Sequence, residues 1–516
     1  MRSTFHGLEV SRRGIFTQQA ALYTTGHNIS NASTEGFSRQ KVNMVAARPL
    51  EGYGLMRSTV PGQMGMGVEF SSITRIREKF LDDQYRNENK ALGNYVVQKD
   101  TLEKLEKIVS EPTETGFRTV LSEFFNAWSD LSKTPESGDS RKIVREQALA
   151  LADSLNHTAK QLNDLKADID TNMNIKMLDV NSILGTISQL NVEINRVEGL
   201  GDNANDLRDQ RDLLADQISK VININVTELA SGYQISMGGV NLVEGDALNP
   251  LTMEGIEEAF ANGDLNDGEM YGLIVSRDRF VQGYMNDLDK LANTIANGDL
   301  EITLPKGSKL PPGVVLPGIP AGTREITEDI QVTVKGLNGL HQLGYTQSGQ
   351  QGVPFFTNAS GGTDGISALS FTVNQAIKDD AFQIATAMKV TVDENGVERP
   401  VIGNNGLAVL FSQARDAKFN FGTDAVKDAN TLSSFFSSVV GQLGVQTKEA
   451  TRQTSNAQSL VDQVDGRRQS VSGVSLDEEM SNLIKFQHAY NAAARNMTTI
   501  DEMLDRIING MGVVGR

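Results

Sequence analysis

Twelve prolines punctuate the 516-residue chain, and none lies between Pro135 and Pro250. Within that gap, steps of four and three from Ala148 reach Ala152, Leu155, Ala159, Leu162, Lys166, Ile169, Met173, Lys176, Val180, Ile183, Ile187, Leu190, Ile194 and Val197. Only the two lysines break the apolar seam. Heptad spacing sustained this long marks helices packed side by side. A helix from about Arg141 to Gly199 would be roughly 90 Å long at 1.5 Å per residue, with Gly185 a place where it weakens or bends.

The same periodicity predicts helices over Phe80–Val109, Phe117–Leu131 and Asn205–Val221, the last dense in charge pairs. The pattern then changes to period 2. A strand is expected over Ile222–Val226, and Tyr233–Met237 and Val240–Val243 flank Gly238-Gly239 as a tight hairpin. The chain stays Gly-rich and β-rich to about residue 420, interrupted by a helix at Phe280–Asn297. Five of the twelve prolines fall in Pro305–Pro320, an irregular, extended stretch with no packing period. Helical patterning returns from Thr423.

This layout predicts a mainly α fold with inserted β domains: elongated, with long antiparallel helices drawn from both ends of the chain and β-rich outer domains. The expected divisions are 1–60 (N-terminal half of a terminal coiled-coil domain), 61–221 (helical rod), 222–422 (β-rich, with 280–297 helical and 298–336 a Pro-rich insertion), 423–470 (helical return to the rod) and 471–516 (C-terminal half of the coiled coil).

Composition narrows the function. The chain has no cysteine, which excludes disulfides and thiol chemistry. Its 48 basic against 65 acidic residues leave a net charge of −17, the wrong sign for a nucleic-acid face. No apolar run approaches the ~20 residues that span a bilayer, and the first residues, MRSTFHGLEVSRRG, lack the apolar stretch of a signal peptide. An apolar content of 39%, with Trp128 the single tryptophan and 48 glycines, suits an elongated protein.

The two ends carry the strongest patterns. Steps of three and four from Leu483 give Phe486, Tyr490, Ala493, Met497, Ile500, Leu504, Ile507, Met511 and Val514, all apolar. Ser475 with Glu478 three residues on reads as a capping box. At the other end Leu8, Ile15, Leu22 and Ile29 recur every seven residues, with Phe16 and Tyr23 beside them. Each stripe alone fits an ordinary core face. Together they predict a terminal coiled coil, within one chain or between copies. The candidate assembly residues are therefore Leu8, Ile15, Leu22, Ile29, Leu483, Phe486, Tyr490, Ala493, Met497, Ile500, Leu504 and Ile507.

No catalytic pattern emerges. His6, His27, His157, His341 and His488 are scattered, with no HExxH spacing. Gly62, Gly65 and Gly67 are spaced wrongly for a phosphate loop. Asp264, Asn266 and Gly268 resemble the start of a calcium loop, but the glycine falls at position five and no Glu stands at twelve; a polar β-turn is the expectation. The acidic run Asp477–Glu479 reads as helix capping. No catalytic, cofactor or metal site is expected.

Ala21–Val42, through Gly26, Asn28, Ile29, Asn31, Gly36, Ser38, Arg39 and Gln40, resembles the N-terminal signature of bacterial flagellar rod, hook and hook-associated proteins. Val471–Gly510 resembles their C-terminal signature, through Ser472-Gly473-Val474, Leu476–Glu479, Gln487, Tyr490, Asn491, Ala492 and Asp501–Leu504. The Asp-Glu-Glu form and the stretch Asn205–Leu213 place the likeness among the hook-associated members. Glu35 departs from a frequent proline and Ser475 from a common asparagine. Asn338, His341 and Gly344 fit a run that the family places directly after the helix ending at Asn297, so Gly298–Gly336 reads as inserted.

The resemblance implies a secreted structural protein of the hook-filament junction, exported by the flagellar type III apparatus and self-associating into a ring. It also implies as partners the flagellar hook protein, a second junction protein (hook-associated protein 3) and a dedicated export chaperone on the C-terminal helix. The alternative is a surface adhesin or hydrolase domain at 225–420 on a helical stalk; His341 is the only histidine that region could use.

Overall fold

The computed structural model describes residues 5–49, 65–109, 116–320, 322–392, 398–422 and 429–510. Pro61 and Gly62 of the glycine run, and Met511 and Val514 of the C-terminal stripe, lie outside them. Helix α1 (His6–Ser30) leads into an antiparallel pair, β1 (Gln40–Ala46) and β2 (Val68–Arg75). Helices α2 (Lys79–Val109), α3 (Phe117–Lys133), α4 (Gly138–Gly199) and α5 (Asn205–Val221) follow. Next is an antiparallel four-stranded sheet, in chain order β3 (Asn225–Leu229), β4 (Gly232–Met237), β5 (Val240–Glu244) and β6 (Ala247–Leu248). Helix α6 (Met253–Asn262) precedes α7 (Glu269–Val275), which continues through a π-helical turn at Ser276–Val281 into α8 (Gln282–Asn297).

Short elements follow: β7 (Asp299–Leu304), β8 (Ile330–Lys335), α9 (Gly336–His341), β9 (Phe356–Thr357), β10 (Thr372–Val373), α10 (Gln375–Asp379), β11 (Val390–Val392), β12 (Glu398–Pro400), α11 (Gly406–Gln413), β13 (Phe419–Asn420) and β14 (Ala429–Asn430). Two long helices, α12 (Leu432–Ser472) and α13 (Leu476–Gly510), close the fold. The mainly helical architecture with small inserted sheets agrees with the expectation from periodicity. The predicted strand at Ile222–Val226 starts later, at Asn225, because Ile222 is the buried C-cap residue of α5.

The chain divides into two compact units. The terminal unit holds Met1–Tyr95, Asn174–Gly272 and Thr454–Arg516; the central unit holds Val96–Met173 and Leu273–Gln453. The two lysines in the α4 seam each find a polar partner within one unit. Lys166 Nζ donates to Gln282 Oε1 at 2.8 Å in the central unit, and Lys176 Nζ meets Glu269 Oε2 at 2.6 Å in the terminal unit. An ammonium at a seam position is tolerated once it is hydrogen-bonded. Helix α4 runs unbroken through Gly185.

In the central unit an aromatic core forms around Trp128, which stacks on Phe411 at 3.9 Å and also meets Phe124 and Phe355. The inserted stretch Gly298–Gly336 is a hairpin: β7 and β8 pair along its base, and β7 also joins β13. Its neck is closed by Gly336 N–H donating to Gly298 O at 2.6 Å. Gly336 sits at φ +54°, where a Cβ would lie 2.4 Å from Ala296 O, so the neck requires glycine. Among its described residues the Pro-rich tip forms no strand or helix, yet it is packed. Leu310, Leu316 and Ile326 are buried, and Arg324 and Lys309 both grip Glu398, at 2.5 and 2.8 Å.

Candidate assembly interface

All residues of this region belong to the terminal unit. Helices α1 and α13 pair within one chain, so the two helices at the ends of the sequence do meet. A Cβ built on Gly7 would lie 2.9 Å from Ile500 Cδ1, and one on Gly14 3.5 Å from Ala493 Cβ. Asn496 Nδ2 donates to Ser11 Oγ at 2.9 Å, and Asn28 Nδ2 to Glu479 Oε2 at 3.1 Å. The residue numbers of every pair add to 507, the mark of two antiparallel helices in one unbroken register.

The contact line on α1 therefore passes through Gly7, Ser11, Gly14 and Asn28, one position before the predicted heptad. Small residues there let the helices approach closely. Leu8, Ile15, Leu22 and Ile29 lie beside this line and are half-buried. On α13, Leu483, Phe486, Tyr490, Ala493, Met497, Ile500 and Leu504 are likewise half-buried, and Ile507 is exposed. The flank of α1 on the other side of this line rests on β2: Thr17 Oγ1 donates to Val68 O, and Arg13 pairs with Glu69 at 3.1 Å.

Much apolar surface of the pair stays open. Phe16 and Tyr23, one heptad apart on α1, are 58% and 69% exposed. On α13, Leu476, Met480 and Ile484 recur every four residues and are half or more exposed, as are Met503 and Ile508 further along. These side chains stay open while the other apolar residues of the two stripes are half-buried.

A polar joint closes the base of the pair. Glu479, 2% exposed, accepts from Arg39 Nε at 2.7 Å and from Asn28. Glu478 accepts from Arg39 Nη1 at 2.8 Å, so this carboxylate turns to Arg39 and not back to the expected Ser475 cap. Asn28 also exchanges two hydrogen bonds with the Gln40 backbone, and Arg39 N–H donates to Ser472 O. The N-terminal and C-terminal motifs thus meet at one place.

A charge network, buried at Asp209, Asp212 and Asp216 and open at Asp206, adjoins the joint. Asp206, Asp209, Asp212 and Asp216, spaced three or four apart, form one face of α5. Asp206 accepts from Gln40 Nε2 and contacts His27. Arg75 Nη1 bridges Asp209 at 2.6 Å and Asp212 at 2.9 Å; Arg77 pairs with Asp82, Arg86 with Asp216, and Arg468 with Asp216. Burial works against ionisation of Asp212, but Arg77, Arg75 and Arg86 outweigh it and hold its carboxyl down to about 2. Burial pushes Asp209 up, with Arg75 and the Ser38 N–H opposing. Tyr233 donates its hydroxyl to Asp212, and its ring lies under Arg211 at 3.5 Å. Sequence reasoning saw α5 as charge-dense and its first half as part of the family likeness, but not as the partner of these arginines. The signal was the three-and-four spacing of its aspartates, matched by arginines at 75, 77 and 86.

His341 and the turn at Asp264–Gly268 have structural tasks. His341 is sealed in the central unit, its Nδ1–H donating to Val353 O and its Nε2 accepting from Ala385 N–H at 2.8 Å. Burial lowers its pKa to about 4, so the ring is neutral. Asp264 accepts from Gly239 N–H, and Asn223 bonds both Asp264 O and Asn266 N–H, which ties the suspected calcium loop into a turn. Among the described residues no group of three His, Cys, Asp or Glu is placed to hold a metal ion, and no helix is long and apolar enough to cross a membrane.

Comparison with known proteins adds to this geometry. The model of the flagellar hook-associated protein FlgK helical domain matches residues 102–298, and that of the flagellar basal body rod FlgEFG protein C-terminal region matches residues 450–510. Flagellar hook-associated protein 1 of Bacillus subtilis is 33% identical over the full length of both chains. That of Salmonella typhimurium is 23% identical over 96% of this chain and 98% of its own. The structure of the flagellar hook junction protein FlgK from Burkholderia pseudomallei covers 76% of this chain and all of its own, with a TM-score of 0.53 at 14% identity, a likeness of fold. The chain belongs to the flagellar hook-associated protein 1 family, structural components of the bacterial flagellum at the junction of hook and filament.

Proposed function

We propose that the α1–α13 pair is the surface through which copies of this chain assemble into a ring at the junction, by burying the stripes each copy leaves half-covered. The observation that carries this reading is the exposure of Phe16, Tyr23, Met480, Ile484 and Met503 on two helices that are already paired. Burying apolar area contributes ~25 cal/mol per Å², so a ring in which each pair is flanked by others gains at every copy. The twelve residues from Leu8 to Ile507 named above, with the open positions beside them, form this interface.

The flagellar hook protein lies on one side of the ring and hook-associated protein 3 on the other. The chain is secreted through the flagellar type III apparatus, with a dedicated chaperone covering the α13 stripe beforehand. Its role is structural and not enzymatic: His341, the one histidine of the 225–420 region, has both ring nitrogens occupied in a sealed core. The divisions of the chain follow this role, with 1–60 and 471–516 building the inner ring.

Cells lacking the protein are expected to keep their hooks and shed filament subunits into the medium. Leu504→Asp, restored to such cells, is expected to be exported and still to shed them, because an unpaired charge buried between helices costs several kcal/mol. Asp505→Lys on the exposed face is expected to anchor filaments. Anchored filaments with Leu504→Asp would sink this reading.

A further inference from the structure

We infer that Glu479, held by Arg39 and Asn28, is the positioning residue that fixes how far α13 is shifted along α1. This rests on the terminal pair being the assembly surface, and it identifies what sets the geometry of that surface. Two antiparallel helices with apolar side chains every three or four residues gain similar burial in registers one turn apart. Small residues along the α1 line, Gly7, Ser11 and Gly14, leave room for an apolar side chain such as Ile500, but Met497 and Leu504, about one turn to either side on α13, are apolar as well. A buried polar group removes the ambiguity, because any other register leaves the group unpaired.

The joint has the features this requires. Glu479 is the only residue of α13 that is buried among those described. Its two oxygens are engaged separately, Oε1 by Arg39 Nε at 2.7 Å and Oε2 by Asn28 Nδ2 at 3.1 Å. Asn28 is itself fixed by its two bonds to the Gln40 backbone, and Arg39 by its N–H bond to Ser472 O. A shift of α13 by one turn, about 6 Å, would carry the carboxylate away from both donors. The remaining polar contact between the helices, Asn496 to Ser11, joins neutral groups and is partly exposed, so it discriminates less.

The chain has no cysteine, so disulfides can report the register directly. Gly14→Cys/Ala493→Cys reads the observed register: a Cβ at Gly14 would stand 3.5 Å from Ala493 Cβ, within the ~3.5–4.5 Å that a disulfide spans. Gly14→Cys/Met497→Cys reads a one-turn shift. Both pairs lie about 21 Å along the helix from Asn28, far from the joint. The ratio of the two oxidation rates in the monomer is expected to fall about tenfold with Glu479→Leu, a conservative effect for removing one partner of a buried ion pair. Glu479→Gln, which keeps the shape and loses the charge, should fall in between. Asn28→Ala, which keeps the ion pair and removes the other bond to Glu479, should lower the ratio relative to the parent by less than about tenfold, and decides the matter if Glu479→Leu does not fold. A ratio unchanged in the folded variants overturns the proposal. Filaments shed with an unchanged ratio would leave the assembly reading intact and this one refuted.

Discussion

The terminal helix pair and the core of the central unit both carry large apolar side chains, but only one of them covers them fully. Around Trp128, the rings of Phe124, Phe355, Phe356, Phe371 and Phe411 are each less than 2% exposed. Along α13, no apolar side chain among those described is buried, and several are half or more open. Both regions are framed by helices, α1 and α13 in one and α3 and α11 in the other. The difference teaches that order and completion are separate properties: a helix can be held in place by a polar joint at its base while its apolar face awaits other molecules.

Truncation should separate the two regions most sharply. Trp128→Ala is expected to destabilise the central unit by about 3–5 kcal/mol, the range for emptying a buried aromatic site. Thermal unfolding read by circular dichroism, with Phe411→Ala as a second variant, checks this. Met503→Ala on α13 should stay within about 0.5 kcal/mol of the parent. Equal losses at the two sites would erase the contrast.

Acid should also act unequally. His341 has a folded pKa near 4, below its ordinary value of ~6.5. The unfolded chain therefore takes a proton that the fold refuses, and the central unit's stability falls as pH drops from ~6.5 to ~4, by roughly 3 kcal/mol in all. The Asp212 network has the other window. With its carboxyl held to about 2, its contribution is intact above pH ~4 and is lost as pH falls toward 2. Hydrogen exchange at pH 7, 5 and 4 should show protection lost first around His341. Earlier loss around α5 would mean that the arginines do not hold Asp212 as described. The smallest effect is expected from metal removal: chelator should leave the melting temperature unchanged, and a drop of many degrees would reopen the turn at Asp264–Gly268.

The legible and illegible parts of the molecule divide along physical lines. Helices were legible wherever apolar residues recur with a helical period, as in α4, where Lys166 and Lys176 are the only interruptions and each has a partner. The packing of α1 was not. Periodicity selects its large residues, Leu8 through Ile29, whereas the closest approach to α13 is decided by the small ones beside them. Glu479 was read as one of three capping acids, since nothing local distinguishes a carboxylate that meets Arg39, 440 positions away, from one in water. The Pro-rich stretch was legible as irregular. That its ends close through Gly298 and Gly336, making the insertion a hairpin, depends on strands Asp299–Leu304 and Ile330–Lys335, whose alternation is short and split by 25 residues.

The central claim is that the open face of the terminal pair is unfinished in one copy and completed by others. Phe16→Asp tests it most directly, because Phe16 is 58% exposed and lies off the line of contact with α13. The measurement is the fraction of filament protein retained on cells that carry the variant as their only copy, alongside its export and the melting temperature of the purified chain. The account predicts normal export, an unchanged melting temperature and filaments lost to the medium. Filaments retained at the parental level would show that this face meets only water, and the account would be wrong.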